Sequence, residues 1–154
     1  MDIQEILTPE RTVIAYQNET SKKQLFELIS HLIHDSCPDI KYKAILSAIQ
    51  QREKLGSTHM GHGVAIPHGR VTGLSGAIAT LVILDKPLQY DTDKEPITIV
   101  LGLLAPEDAN EQHIEALSTF ADKLCISAYR DSLRQASDNR SLYSAAIAPI
   151  KTQQ

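Results

Sequence analysis

The amino-acid sequence predicts an α/β fold: a small mixed β-sheet sandwiched between helices, in a single domain. Three observations lead there. Amphipathic helical patterns stand before and after the middle of the chain. Residues 77–84 and 97–104 are nearly continuous in apolar side chains, as expected of strands covered on both faces. The length of 154 residues suits one buried core, and no repeat, low-complexity stretch or Gly/Ser/Pro-rich linker divides it. The domain is expected over residues 3–148, with 149–154 a short tail.

Each element has its own local reason. After a short amphipathic opening, residues 12–16 are rich in strand formers and close on the turn-forming Gln17-Asn18-Glu19. Ser21 and Gln24 have capping-box spacing, and Leu25, Leu28, Ile29, Leu32 and Ile33 give the following helix one apolar stripe, ended by Cys37-Pro38. A second helix is expected from an Asp39 N-cap to about Lys54, with Ile45, Ala48 and Ile49 buried and Gly56 at its end. Residues 56–76 hold six of the seven glycines and three of the six histidines, the composition of a loop. Within it, Val64-Ala65-Ile66 reads as an edge or terminal strand. Pro87, Asp91, Asp93 and Pro96 read as the turn between the two apolar strands. Helical period returns from an Asn110 N-cap through Ile114, Leu117, Ala121 and Leu124, and two shorter helices fit residues 128–135 and 140–148.

Composition excludes several classes of function. With 15 Lys+Arg against 19 Asp+Glu, the net charge of −4 gives no whole-molecule attraction to nucleic acid or anionic lipid. The N-terminus carries acid where a secretory signal needs base, and no apolar run reaches membrane-spanning length, so a cytoplasmic protein without membrane insertion is expected. Cys37 and Cys125 lie far apart with no zinc or redox spacing, and read as two reduced thiols. A phosphate-binding P-loop and a serine-hydrolase elbow are both absent from the sequence.

The sharpest chemical signal is Ile66-Pro67-His68-Gly69. Pro67 fixes its own φ and pushes Ile66 toward extended backbone, while Gly69 permits a sharp turn or a close approach. His68 therefore stands at a strand exit, and a neutral imidazole there could act as a nucleophile or simply bridge the turn. Arg52 falls on the stripe of Ile45, Ala48 and Ile49, so its guanidinium leaves from an inward face and needs either an internal carboxylate or a bound anion. His113 lies in the first turn of its helix, where the dipole disfavours an imidazolium and leaves a neutral N–H donor, or a surface histidine. His31 and His34 belong to a helix surface or its boundary. His59, His62 and His68 also admit a metal- or ligand-binding module, although their spacing matches no helical ligand pair.

Three segments taken together carry a resemblance to a known family. Arg52-Glu53-Lys54-Leu55-Gly56-Ser57-Thr58, then Gly63-Val64-Ala65-Ile66-Pro67-His68-Gly69, and Glu111-Gln112-His113-Ile114 with Leu117-Ser118 resemble the enzyme IIA domains of the fructose/mannitol class (EIIA type-2) of the bacterial phosphotransferase system, most of all its nitrogen-regulatory branch. The resemblance spans nearly the whole chain. It implies that His68 accepts a phosphoryl group through Nε2 from a phosphorylated HPr-like carrier, with Arg52 and His113 around the acceptor, and that neither a cofactor nor a metal is needed. It also implies partners among cytoplasmic regulatory targets such as potassium-transport regulators or sensor kinases. Two positions depart from the family pattern: His62 stands where glutamate or asparagine is usual, and Gln51 where glutamate often precedes the arginine. His62 is expected to be a loop residue near the site rather than a second acceptor.

Two other functions compete with a regulatory phosphoacceptor that changes partners with its phosphorylation state. One is a sugar-transport component handing its phosphoryl group to a fructose- or mannitol-type IIB protein. The other is the histidine-based metal- or ligand-binding module.

Overall fold

The computed structural model describes residues 3–16, 21–109 and 111–149, the side chains of residues 111–114 and 116 excepted. The expected turn at residues 17–19, the Asn110 cap and the tail beyond residue 149 lie outside the described residues. The elements run in the order α1 (Ile3–Ile6), a 3-10 turn (Pro9–Arg11), β1 (Thr12–Ala15), α2 (Lys22–Ser36), α3 (Tyr42–Leu55), β2 (His59–Gly61), β3 (Val64–Ala65), β4 (His68–Val71), β5 (Ile78–Leu88), β6 (Ile97–Pro106), α4 (Glu111–Leu124), α5 (Ser127–Arg134) and α6 (Asn139–Ile147).

The sheet is mixed, in the order β1-β5-β6-β3-β2, with β4 also on β6. β1 runs parallel to β5, β5 antiparallel to β6, and β3 antiparallel to β2. Both β3 and β4 run parallel to β6, Val64 opposite Ile99 and His68 opposite Leu103. They are two lengths of one strand track, interrupted at Ile66-Pro67. The Pro67 carbonyl still accepts from the Leu103 N–H at 3.0 Å, so the interruption stays fastened to β6.

The predicted sandwich is what forms, because alternate residues of β5 and β6 enter opposite cores. Ala79, Leu81, Ile83, Ile99, Leu101 and Leu103 pack with Phe120, Leu124, Tyr129, Leu133, Leu142 and Ala146 of α4 to α6. Ile78, Val82, Leu84, Val100 and Leu104 pack with Leu25, Phe26, Ile29 and Ile33 of α2 and Ile45 and Ile49 of α3. The α2 helix begins with the expected reciprocal capping box between Ser21 and Gln24. Buried Arg11 ties the layers by donating to the carbonyls of Ala79 and Ile6 and to the Ser36 hydroxyl.

Four local expectations are corrected. Asp39 does not cap α3, which starts after Lys41, because buried Ile40 turns back onto the Cys37 carbonyl and takes Asp39 into that turn. Residues 56–76 contain three short strands rather than one within a loop, since backbone pairing of β3 and β4 to β6, and of β2 to β3, organises them without a long apolar run. Val64-Ala65 is interior to the sheet, between β6 and β2, and not at its edge. Pro87 lies inside β5, beyond the β1 register that ends at Ala15 and Leu84, where the missing N–H interrupts no ladder to β1.

Candidate functional site

Gly69 sets how closely α3 approaches the sheet. A Cβ added there would lie 2.9 Å from the Ala48 carbonyl carbon and 3.0 Å from the Ala48 Cβ, so only glycine admits this contact. Ala48 is one helical turn before Arg52, and Gly69 follows His68. The close approach thus brings the two sequence-predicted residues to one cleft of about 680 Å³, lined also by Gln51, Leu55, Arg70, Leu103 and Leu117. A smaller cleft of about 280 Å³ shares Arg52, His68, Leu103 and Leu117, and adds Ser57, Thr58, Met60 and Ser118.

His68 is half-buried, and its Nδ1 lies 2.8 Å from the carbonyl oxygen of Ile66. A carbonyl only accepts, so Nδ1 carries the proton and Nε2 keeps its lone pair. The Pro67 interruption makes this contact possible by folding the ring back onto the residue two before it. The question left open for Arg52 is answered in part: its Nη1 donates to the Gly56 carbonyl at 2.9 Å, and no carboxylate among the described residues pairs with it. His113 is part of α4, four residues before the cleft residue Leu117, and its side chain lies outside the described residues.

The remaining histidines stand apart. His62 is exposed, with φ 57° at the tip of the Gly61-His62-Gly63 turn, and its carbonyl accepts from Arg134 Nη2 at 2.8 Å. It is a loop residue, as expected, but not near the site. Val64 and His68 are four residues apart in register along β6, which at strand rise is about 13 Å, and His62 lies beyond Val64. His59 accepts from the Gly61 N–H at Nδ1, and so donates from Nε2 to the Glu95 carbonyl, which occupies both ring nitrogens. His31 stacks on Tyr42, and His34 contacts the Ile40 carbonyl, both far along α2 from the cleft. Among the described residues no group of three or more metal-ligating side chains forms.

Sequence reasoning missed the polar network that holds the cleft wall. Glu53 accepts from the Thr58 hydroxyl at 2.5 Å, the Thr58 N–H at 3.1 Å, the Tyr90 hydroxyl at 2.7 Å and Lys22 Nζ at 2.9 Å. Lys22 also reaches Asp91, which accepts from Ser57 and so closes the network over the 56–58 loop. Burial works against ionisation of Glu53, but the hydrogen bonds from Thr58, Lys22 and Tyr90 outweigh it and hold the carboxyl below the ordinary glutamate range. Burial raises the Tyr90 hydroxyl, and the neighbouring carboxylates of Glu53 and Asp91 raise it further. The Thr58 carbonyl accepts from the Ile66 N–H at 3.0 Å, so hydrogen bonds run from Glu53 through Thr58 and Ile66 to the His68 ring. Glu53 and Thr58 were visible in the motif; Tyr90, 37 residues from Glu53, had no sequence signal linking it to them.

The chain matches the family model described as "Phosphoenolpyruvate-dependent sugar phosphotransferase system, EIIA 2" over residues 5–147. It is 36% identical over 146 residues to a nitrogen regulatory protein of Pseudomonas aeruginosa, covering 94% of each chain. Its structure is similar to nitrogen regulatory protein IIA-Ntr from Neisseria meningitidis, with TM-score 0.82 and 33% identity over 94% of this chain and 98% of that one. The mannitol enzyme IIA of Escherichia coli, solved in complex with phosphorylated mannitol enzyme IIB, has the same fold at 14% identity, with TM-score 0.72 over 92% of this chain and 98% of that one. Among the described residues, no helix is long and apolar enough to cross a membrane.

Proposed function

The chain belongs to the EIIA 2 family of the phosphoenolpyruvate-dependent sugar phosphotransferase system, and from that premise we propose that His68 accepts a phosphoryl group from a phosphorylated HPr-like carrier. The observation that carries the reading is the Ile66 carbonyl on Nδ1, which leaves the Nε2 lone pair of His68 as the nucleophile in a cleft shared with Arg52. The Nε2–P bond forms as the carrier's N–P bond breaks. The carrier ring nitrogen keeps the electron pair of that bond, and His68 keeps its Nδ1 proton. The ring then carries positive charge, and its hydrogen bond to Ile66 becomes charge-assisted. Arg52 balances the phosphoryl oxygens, and His113 is the family's second histidine beside the acceptor.

The output is regulatory: phosphorylation changes the charge of one surface and with it the choice of cytoplasmic partner, among targets such as potassium-transport regulators or sensor kinases. The nitrogen regulatory relative and the similarity to IIA-Ntr support this branch. The complex of the E. coli fold relative with phosphorylated IIB supports a second reading, onward transfer to a IIB protein of sugar transport.

The test is intact mass after incubation with phosphoenolpyruvate, enzyme I and an HPr-type carrier, beside His68→Ala and an acid-treated control. One acid-labile phosphoryl group, absent from the variant, is expected. No mass change with a carrier active on another acceptor overturns the reading. A purified IIB protein added next distinguishes the branches by gaining or not gaining the label.

A further inference from the structure

Two guanidiniums, not one, reach the acceptor cleft. Arg52 comes from α3 and Arg70 from β4, the strand that carries His68 itself. Residues two apart on a strand share a face, so His68 and Arg70 project together while Gly69 between them turns to Ala48 and Val71 enters the α2–α3 core. Their partners on β6, Leu103 and Ala105, both line the cleft. Arg70 is exposed, and no carboxylate among the described residues pairs with it.

Among the described residues, the charged side chains lining the clefts have one sign. In a chain of net charge −4, the described residues lining the two clefts include Arg52 and Arg70 but no aspartate or glutamate. Gln51 contributes a further uncharged amide. Two guanidiniums that no carboxylate among the described residues pairs, set around one nucleophile, match the two negative charges of a phosphoryl dianion.

We propose that Arg70 is a second phosphoryl-holding residue, its guanidinium pairing with the phosphoryl oxygens on His68 Nε2 while Arg52 engages them from α3. This rests on the reading of His68 as acceptor. The two guanidiniums then balance the phosphoryl dianion, and Arg70, exposed before transfer, is occupied after it. Phosphorylation thereby withdraws a cation from the surface offered to partners, in addition to placing an anion there.

Wild type, Arg70→Gln and Arg70→Lys are each phosphorylated through the carrier and examined in two ways. Phosphorus NMR titration reads the ionisation of the phosphoryl group, and the partition of label between carrier and protein reads its stability. In Arg70→Gln the phosphoryl pKa rises, and the partition moves toward the carrier by about 3- to 10-fold, the scale of one partly exposed charge-assisted contact. Arg70→Lys restores much of both, and the melting temperature of all three agrees. A phosphorylated Arg70→Gln protein with wild-type phosphoryl pKa and partition overturns the inference alone. A wild-type protein that takes up no label on His68, from a carrier active on another acceptor, overturns the acceptor reading and this inference together.

Discussion

Ala48 of α3 sits against the α-carbon of Gly69 in β4 so closely that an added Cβ would meet its backbone carbonyl carbon at 2.9 Å. The contact fixes the height of α3 above the strand one turn before Arg52 and one residue after His68. Gly69→Ala is expected to lift α3, destabilising the protein by about 1–3 kcal/mol and slowing phosphoryl uptake by about tenfold or more. Urea unfolding and the initial rate of uptake measure the two effects. Gly102→Ala is the contrast, because its Cβ would meet the Thr80 hydroxyl of β5 and Ile29 Cγ2 of α2 at 2.7 Å, contacts that do not involve α3 or β4. It loses comparable stability and keeps its rate under conditions where it remains folded.

The Ile66 carbonyl predicts the tautomer of His68. Nitrogen NMR of ring-labelled protein is expected to show Nδ1 protonated and Nε2 bare in the neutral imidazole, and the phosphoryl group attached at Nε2 after transfer. A majority Nε2–H tautomer in the free protein would contradict the geometry.

Glu53 predicts an acid limb in stability. Its folded pKa is lowered, so its contribution is fully present above the ordinary value of 4.5 and is lost as pH falls through the lower folded value. Glu53→Gln removes the charge while Lys22 stays in place, at a cost of about 1–3 kcal/mol near neutral pH that shrinks in acid. Urea midpoints of both proteins, at about pH 7 and about pH 3.5, measure the convergence.

His62 predicts a negative result that geometry requires. It stands beyond Val64, at the other end of the strand track from His68, with an exposed side chain. His62→Asn keeps a residue tolerant of its φ of 57° and is expected to take up phosphoryl at the wild-type rate. Stable label on His62 in a His68→Ala protein would show that the site extends to it.

Much of this architecture was legible because the relevant signals are local. The Ser21–Gln24 capping box, the α2 stripe and the unbroken apolar runs of β5 and β6 each report on a few neighbouring residues and on which faces are covered. Val64-Ala65 was legible as a strand, but β2 and β4 were not: β2 is held by backbone bonds to β3, β4 by backbone bonds to a strand about 35 positions later, and lengths of three and four residues show no clear side-chain period.

By itself the sequence determined the sandwich and singled out His68, because Pro67 and Gly69 constrain the backbone wherever they occur. It also determined that Arg52 leaves α3 from the inward stripe. Only the tertiary structure decided what these residues meet: the Ile66 carbonyl on His68, the Gly56 carbonyl on Arg52, Tyr90 and Lys22 on Glu53, and Arg70 in the same cleft. The reason is physical. Local patterning fixes the face a side chain takes, whereas its neighbours are set by strand register and helix height, and those depend on contacts as remote as Ala48 against Gly69.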